Sequence, residues 1–152
     1  MSDRLIDAEV RIIFNRAGFA NRRGHHVRSR MEAAVCEWLF GRGIAHRHAG
    51  EVFTVPAGAG KVPTIYVPDI ILHDRGPDGR LIIIEPYQVN TPKGGGTRLL
   101  AAFRREMSAR YAVIVVTKRR NMKNVIAGSY DALVDADHLE MLTRLVPTPR
   151  RR

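Results

Sequence analysis

Two carboxylates on consecutive strand-like segments are the residues in this sequence best suited to chemistry. Asp69 lies in the apolar run 65–72, and Glu85 ends the apolar run 81–85. A five-residue turn over 75–79 would join these runs as an antiparallel hairpin with Asp69 directly opposite Glu85. Opposed side chains in such a pair have Cβ atoms roughly 5 Å apart, so the two acids repel each other unless a proton or a cation neutralises them. Hard oxygen ligands of this kind suit Mg²⁺, whereas a register error of one residue would put the acids on opposite faces.

Glu32 is a third candidate acid, on a helix that hydrophobic spacing predicts from Val27 to Phe40. It lies about 100° around the helix from Met31, at the edge of the apolar stripe, so its side chain could reach the edge of a sheet. Glu32 also follows Arg28 by four positions, and an ordinary ion pair on a solvated helix surface is the competing interpretation.

The elements that must position these acids follow an α/β order. Periodicity, caps and turn residues predict a first helix from Ser2 or Asp3 to Gly18, a helix over 27–40, strands over 51–55, 65–72 and 81–85, a helix over 97–110, a strand over 111–117 and further helix within 124–146. This order indicates an α/β fold with a mixed central sheet. We predict one domain over 1–146, followed by a disordered basic tail over 147–152.

The charge of the chain indicates a polyanionic partner. Among 152 residues, Lys and Arg number 25 against 15 Asp and Glu, which gives a net charge of +10. Most of these cations are Arg, whose planar fork matches phosphate geometry. A GC-rich genome would explain Arg in place of Lys, but it does not explain the excess of positive charge. Nucleic acid is therefore the predicted partner, DNA before RNA, and an anionic membrane surface is the second alternative.

Basic residues flank the predicted elements and are candidates for a groove that follows phosphates. The candidate nucleic-acid contacts are Arg22, Arg23, Arg28, Arg30, Lys93, Arg98, Arg104, Arg105, Lys118, Arg119 and Arg120. A run of charge is more commonly a solvated surface, which is the alternative for each cluster. The loop Gly94–Gly96 before the helix at Thr97 would contact a nucleic-acid backbone or serve as a plain connector.

Cysteine and histidine content bears on location and on metals. Cys36 is the single cysteine, so no disulfide forms within the chain and a secreted scaffold is disfavoured. The first 19 residues do not resemble a signal peptide, and no apolar run approaches the length of a membrane span, so we predict a cytoplasmic protein. Six histidines are scattered, with His46 and His48 alternating on a possible strand, and no spacing matches a structural zinc site.

The order of these features resembles the PD-(D/E)xK nuclease superfamily over roughly residues 27–118. The shared features are a helix with an acid, a strand with Pro68-Asp69, a strand that ends in Glu85, and then a helix and a strand. The segment 28–32, followed by Trp38-Leu39 and Gly43-Ile44, is similar to the opening helix of very-short-patch-repair-like and transposon-end nucleases, and Holliday-junction-resolvase-like enzymes share the overall pattern.

The resemblance implies a restriction-endonuclease-like αβββαβ core with extra N-terminal and C-terminal helices. It implies an endonuclease that hydrolyses phosphodiester bonds in DNA with Mg²⁺, for which Mn²⁺ would substitute. Asp69 and Glu85 would bind the metal, the carbonyl of Pro86 would complete the shell, and Glu32 would assist through water or a second metal. A chain this small that cuts both strands would work as a symmetric homodimer.

One position departs from the family pattern. The family has Lys two residues after the second acid, where this sequence has Tyr87. Gln88 is the nearest polar replacement and the fourth candidate catalytic residue; a strand bulge at Pro86 would bring it to the face of Glu85. Lys93 in the glycine-rich loop is the other candidate. If none of them serves, the alternative is a catalytically weak or inactive nucleic-acid-binding module with a nuclease fold.

Overall fold

The computed structural model describes residues 19–20, 24–56, 62–88 and 95–148. The predicted N-terminal helix, the candidate contacts Arg22, Arg23 and Lys93, and the tail from residue 149 onward lie outside these ranges. The extent of the single domain over 1–146 and the disorder of the tail therefore stay predictions.

Within the described ranges the chain forms a mixed α/β structure. In chain order the elements are β1 (Phe19–Ala20), β2 (His26–Val27), α1 (Arg30–Gly41), β3 (His46–His48), β4 (Phe53–Val55), β5 (Thr64–Tyr66), β6 (Ile70–Leu72), β7 (Leu81–Pro86), α2 (Gly95–Met107), β8 (Tyr111–Thr117) and β9 (Ala132–Asp135). Two 3₁₀ helices follow β8 and β9, over Arg119–Asn124 and Leu139–Arg144.

The central sheet has five strands in the order β3-β6-β7-β8-β9. The pairs β3–β6 and β6–β7 are antiparallel, whereas β7–β8 and β8–β9 are parallel. Helix α2 connects β7 to its parallel neighbour β8, because a parallel connection needs a long crossover. The predicted α/β class with a mixed central sheet is confirmed.

Two apolar cores cover the two faces of this sheet. Alternate residues of β7 point to opposite faces, so Ile82 and Ile84 join the core that contains Val35 and Leu39 of α1. On the other face Ile83 packs in the core that contains Phe103 of α2. All seven residues of β8 are buried, as its uninterrupted apolar sequence predicts for a strand covered on both faces.

Helix α1 begins three residues later than its predicted start at Val27. Ser29 adopts an extended backbone and its hydroxyl accepts a hydrogen bond from the Glu32 N–H at 3.0 Å, which makes it the N-cap. The helix ends at Gly41, and Gly43 then adopts a left-handed backbone with φ of 67°, a conformation that glycine adopts without strain.

The predicted strand over 65–72 is two separate strands, so this prediction is wrong in its extent. The chain leaves the strand after Tyr66 and enters β6 at Ile70, with Pro68 in the break, since proline has no N–H for a sheet ladder. Strand β5 pairs with β4 in a separate two-stranded sheet, in which Phe53 is opposite Tyr66. The predicted strand over 51–55 therefore lies outside the central sheet.

The predicted helical character of 124–146 is also wrong. This segment contains β9, which extends the central sheet by pairing with β8 from Ile114↔Ala132 to Thr117↔Asp135. Only short 3₁₀ turns flank it. The physical reason is that β8 is buried on both faces and its outer backbone groups need a hydrogen-bonding partner, so strand pairing overrides the local preference of these residues.

Candidate active site

The register of the β6–β7 hairpin brings two of the predicted acids together. Ile70 pairs with Ile84 and Ile71 pairs with Ile83, which is the register predicted from the turn. One step further along this register Asp69 is opposite Glu85, and the Asp69 N–H donates a hydrogen bond to Glu85 Oε1 at 3.2 Å. The predicted proximity of the two acids is confirmed.

Tyr66 of β5 orients the carboxylate of Glu85. Its hydroxyl donates a hydrogen bond to Glu85 Oε1, the same oxygen that accepts from the Asp69 N–H. The tyrosine ring is buried, and its centroid lies 4.7 Å from that of Phe103 in α2. The packing of α2 on the sheet therefore fixes the position of an oxygen of Glu85.

Glu32 joins the same group from helix α1. Its side chain is only 2% exposed, so the interpretation as a solvated surface acid is wrong. Its Oε2 lies 2.8 Å from His48 Nδ1, and its Oε1 lies 4.0 Å from Arg28 Nε, which is the i,i+4 pair expected from the sequence. Arg28 also forms an ion pair with Asp69, so its guanidinium lies between Glu32 and Asp69.

The site places three acids around one guanidinium, and burial favours the neutral form of one of them. The pKa of Glu85 is raised to about 8, because burial, the largest cause, and the charge of Glu32 outweigh the lowering by the Tyr66 hydrogen bond and by Arg28. Burial and the neighbouring Glu85 raise the pKa of Tyr66 well above its ordinary value, so its hydroxyl stays protonated as a donor. Below about pH 8 a proton on Glu85 neutralises one acid, and a bound cation could take the place of that proton.

Two clefts adjoin the acids, and Asp69 lines both. The smaller has a volume of about 280 Å³ and is lined by Glu85, Pro86, Tyr87 and Gln88 among others. The larger, about 400 Å³, is lined by residues that include Arg28, Glu32 and His48. Asp69 and Glu85 are therefore accessible to a small ligand from the side of Gln88.

The strand does not bulge at Pro86, and this prediction is wrong. Strand β7 pairs with β8 without interruption through Pro86↔Val116, and the Tyr87 N–H then donates to Val116 O at 2.8 Å. The backbone nitrogen of Pro86, which carries no hydrogen, faces away from β8 and toward β6. The β6–β7 pairing has already ended there, so the proline is tolerated without a bulge.

Tyr87 and Gln88 both line the smaller cleft, although only Gln88 is exposed. Tyr87 packs against the core on the α2 face. Its hydroxyl oxygen is buried with no hydrogen-bond partner among the described residues. Gln88 lines the cleft two residues after the end of β7, and it keeps its candidate role on that ground.

The described candidate contacts for nucleic acid differ in their surroundings. Arg28 belongs to the acid cluster itself. Arg98 is exposed on the first turn of α2, next to Thr97 of the smaller cleft. Lys118, Arg119 and Arg120 follow β8, whose carboxyl end adjoins that of β7 because the two strands are parallel. Lys118 and Arg119 form ion pairs with Asp137 and Asp135 but remain exposed, as do Arg30, Arg105 and Arg120.

Arg104 is already bound elsewhere in the protein. Its guanidinium donates hydrogen bonds to both carboxylate oxygens of Asp131, at 3.1 and 2.9 Å, and to the Gly128 carbonyl. These partners precede β9, on the far side of β8 from Glu85. Arg104 therefore has a structural partner, and its candidate role as a nucleic-acid contact stays a prediction.

Sequence reasoning missed a cluster next to the acids. One candidate ligand atom from each of His25, Cys36, His46 and His48 lies within 4.8 Å of the other three. Burial lowers the pKa of His46 to about 4, so this imidazole is neutral at neutral pH. No short motif joins these residues because they come from separate elements; the useful signal was the alternation of His46 and His48, which puts both on one face of β3.

Comparison with known proteins returned no matching family model, no matching curated protein and no matching solved structure. In the part of the chain that the structure describes, no helix is both long enough and apolar enough to cross a membrane.

Proposed function

We propose that this protein is a metal-dependent endonuclease that hydrolyses phosphodiester bonds in nucleic acid, with DNA as the first substrate. The observation that carries the proposal is the convergence of Glu32, Asp69 and Glu85 at one point, where the β6–β7 hairpin meets the start of α1. Apart from the separate β4–β5 sheet, the elements follow the order α1, β3, β6, β7, α2, β8, with β7 parallel to β8; this supports the proposal, because the αβββαβ core of the PD-(D/E)xK superfamily has this order.

The residues fit a divalent cation such as Mg²⁺ or Mn²⁺. The donors are carboxylate oxygens, which these hard cations prefer. Asp69 and Glu85 lie side by side on a cleft of about 280 Å³, which has room for an ion, its waters and a phosphate. When bound, such a cation lowers the pKa of a bound water and stabilises charge on the phosphate oxygens.

The protein groups hold the acids in place for this chemistry. Tyr66 and the Asp69 N–H fix one oxygen of Glu85, while His48 and Arg28 fix the two oxygens of Glu32. Glu85 holds its proton up to about pH 8 in the cation-free protein, so it must lose that proton to become a ligand. Gln88 would hold a phosphate oxygen or orient the attacking water from the exposed side of the cleft.

Incubation with supercoiled plasmid tests the proposal. The full chain should nick or linearise the plasmid with Mg²⁺ or Mn²⁺ and fail to do so with excess chelator. Asp69→Asn should lower the rate more than about 100-fold, because loss of an outer-shell contact at a metal site already costs 10- to 100-fold. Glu106→Gln is the matched control, since Glu106 is an exposed acid on α2 away from the cluster.

Calorimetric titration with Mn²⁺ gives a second readout that does not depend on turnover. The parent and the Glu106→Gln control should bind Mn²⁺, and Asp69→Asn should bind it more weakly. An Asp69→Asn protein that cuts and binds Mn²⁺ like the parent would rule out the proposed site.

The second candidate is a nucleic-acid-binding module that keeps the fold without the chemistry. Two observations favour it: Tyr87 stands at the position of the family lysine, and Arg28 already neutralises Asp69 within the protein. A mobility-shift assay separates the candidates. Retardation of a labelled duplex, with no cleavage in any divalent cation, would establish the binding module and exclude the nuclease.

A further inference from the structure

The cluster beside the acids has the spacing of a metal site. Cys36 Sγ lies 3.5 Å from His25 Nδ1 and 3.2 Å from His46 Nε2. In a tetrahedral zinc site, with Zn–S near 2.3 Å and Zn–N near 2.0–2.1 Å, ligand atoms lie about 3.3–3.6 Å from one another. All four candidate ligand atoms lie within 4.8 Å of one another, so an inward movement on the order of 1 Å would bring the cluster to that geometry.

A hydrogen bond at Nδ1 of each of the two strand histidines orients the other ring nitrogen, Nε2. His46 Nδ1 lies 2.9 Å from the Ile44 carbonyl, which can only accept, so the proton is on Nδ1 and the lone pair of Nε2 faces Cys36. His48 Nδ1 likewise faces Glu32 Oε2 at 2.8 Å. A carbonyl or carboxylate behind the ring is the arrangement that fixes the tautomer of metal-binding histidines.

His48 Nε2 is the atom that hydrogen bonding does not explain. It is buried, and it has no hydrogen-bond partner among the described residues. The His48 side chain is only 9% exposed, so water does not freely solvate this nitrogen. The alternative to a metal is a cluster held by thiol–imidazole hydrogen bonds. That alternative accounts for the Cys36 contacts but leaves the lone pair of His48 buried and unmatched, at a cost of about 1–3 kcal/mol.

We propose that His25, Cys36, His46 and His48 bind one Zn²⁺ ion in a closed tetrahedral site. Because all four ligands come from the protein, no position is left for a substrate, and the ion acts structurally. It fastens the segment before β2 and helix α1 to the edge strand β3. Thiolate and imidazole ligands select zinc over Mg²⁺, so this site and the carboxylate cluster would take different ions.

Metal analysis of the purified full chain tests this site. The parent should contain one zinc per chain, and Co²⁺ should replace it with a tetrahedral spectrum and a thiolate-to-cobalt charge-transfer band. Cys36→Ser should weaken zinc binding more than about 100-fold in competition with a chromogenic chelator. His26→Gln is the matched control, because His26 is the exposed neighbour of His25 and is not part of the cluster.

Further variants separate this site from the acids. Asp69→Asn should keep its zinc, whereas Glu32→Gln should lose about 10- to 100-fold in zinc affinity through the weakened support of His48. If Cys36→Ser does not fold, the Co²⁺ spectrum of the parent decides. A parent that binds no zinc, a Co²⁺ complex without the charge-transfer band, or a folded Cys36→Ser that binds as tightly as the parent would overturn the proposal.

Discussion

At the level of single residues, Glu32 differs most from what its sequence position suggests. Its two oxygens face different neighbours, Arg28 on the side of the acids and His48 on the side of the histidines. Helix spacing placed it at the edge of the apolar stripe, but that spacing could not show whether water or protein covers it. The missing information was the position of β3, which brings His48 over the helix.

Glu85 makes the stability of the cation-free protein depend on pH. Its pKa is raised from an ordinary value of 4.5 to about 8, so between these values the folded state holds a proton that the unfolded state has lost. Stability from this residue therefore falls as the pH rises from about 4.5 to 8. A shift of one pKa unit corresponds to about 1.4 kcal/mol in the free energy of unfolding. We expect the parent to lose at least this much stability as the pH rises, and Glu85→Gln to lack this loss.

Urea unfolding of both proteins at pH 5 and pH 8.5, with chelator present, measures this difference. The parent should lose more stability than Glu85→Gln between the two pH values. Comparing two proteins cancels the opposite contribution of His46, whose lowered pKa makes stability rise with pH in the acidic range. An identical pH dependence in both proteins would show that Glu85 has an ordinary pKa.

Gln88 and Tyr87 should respond differently to substitution. Gln88→Ala should lower the cleavage rate on the order of tenfold, the equivalent of one hydrogen bond of about 1.4 kcal/mol. Gln88→Lys should keep or raise the rate, since it supplies the amine that the family pattern has nearby. Tyr87→Phe should cut normally and be at least as stable, because it removes a buried hydroxyl that has no described partner. A larger loss in Tyr87→Phe than in Gln88→Ala would reverse this assignment.

At the level of elements, the sequence predicted the uninterrupted apolar strands. It did not predict short segments whose structure depends on pairing with a distant strand. Strand β8 was predicted with its observed ends, since every residue of Tyr111–Thr117 is buried. The turn between β6 and β7 fixed their register, so the opposition of Asp69 and Glu85 was predictable as well. The 132–135 segment was missed because four residues are too few for a period, and its pairing with β8 is a long-range contact.

Asp131 should stabilise the fold by joining three elements. Its carboxylate accepts hydrogen bonds from Arg80, from Arg104 of α2 and, at 2.8 Å, from the Val113 N–H of β8. Asp131→Asn should lower the free energy of unfolding by about 1–3 kcal/mol, because an amide cannot satisfy all three donors.

The control for this substitution is Asp137→Asn. Asp137 is 62% exposed and forms an ion pair with Lys118 that solvent screens, so its loss should change stability little. Urea denaturation midpoints measure both variants. Equal effects of the two substitutions would mean that Asp131 is no more than a surface ion pair.

At the level of the whole molecule, the net charge of +10 predicts binding to nucleic acid that weakens steeply with salt. Neutralising about six phosphates should cost roughly 10³-fold in affinity between 50 and 200 mM salt. Fluorescence anisotropy with a labelled duplex measures this slope. A flat response would remove nucleic acid as the main partner.

Two arginine variants refine this measurement. Arg98→Ala should lower the salt slope by about one phosphate, since Arg98 is exposed beside the cleft. Arg104→Ala should leave the slope unchanged in the folded protein, because its guanidinium already binds Asp131. The same loss of slope in both variants would mean that exposure does not decide which arginines contact phosphate.

The ion pair between Arg28 and Asp69 has a consequence for how ligands would affect one another. A divalent cation that binds Asp69 competes with the guanidinium, and an arginine displaced by it remains beside the larger cleft as a partner for phosphate. Binding of the cation thereby raises the affinity for the phosphate, and thermodynamics requires that the phosphate raise the affinity for the cation by the same factor. At constant ionic strength, Mg²⁺ should raise the affinity of the protein for a duplex. The duplex should raise the affinity for Mg²⁺ by the same factor. Arg28→Met should abolish both increases.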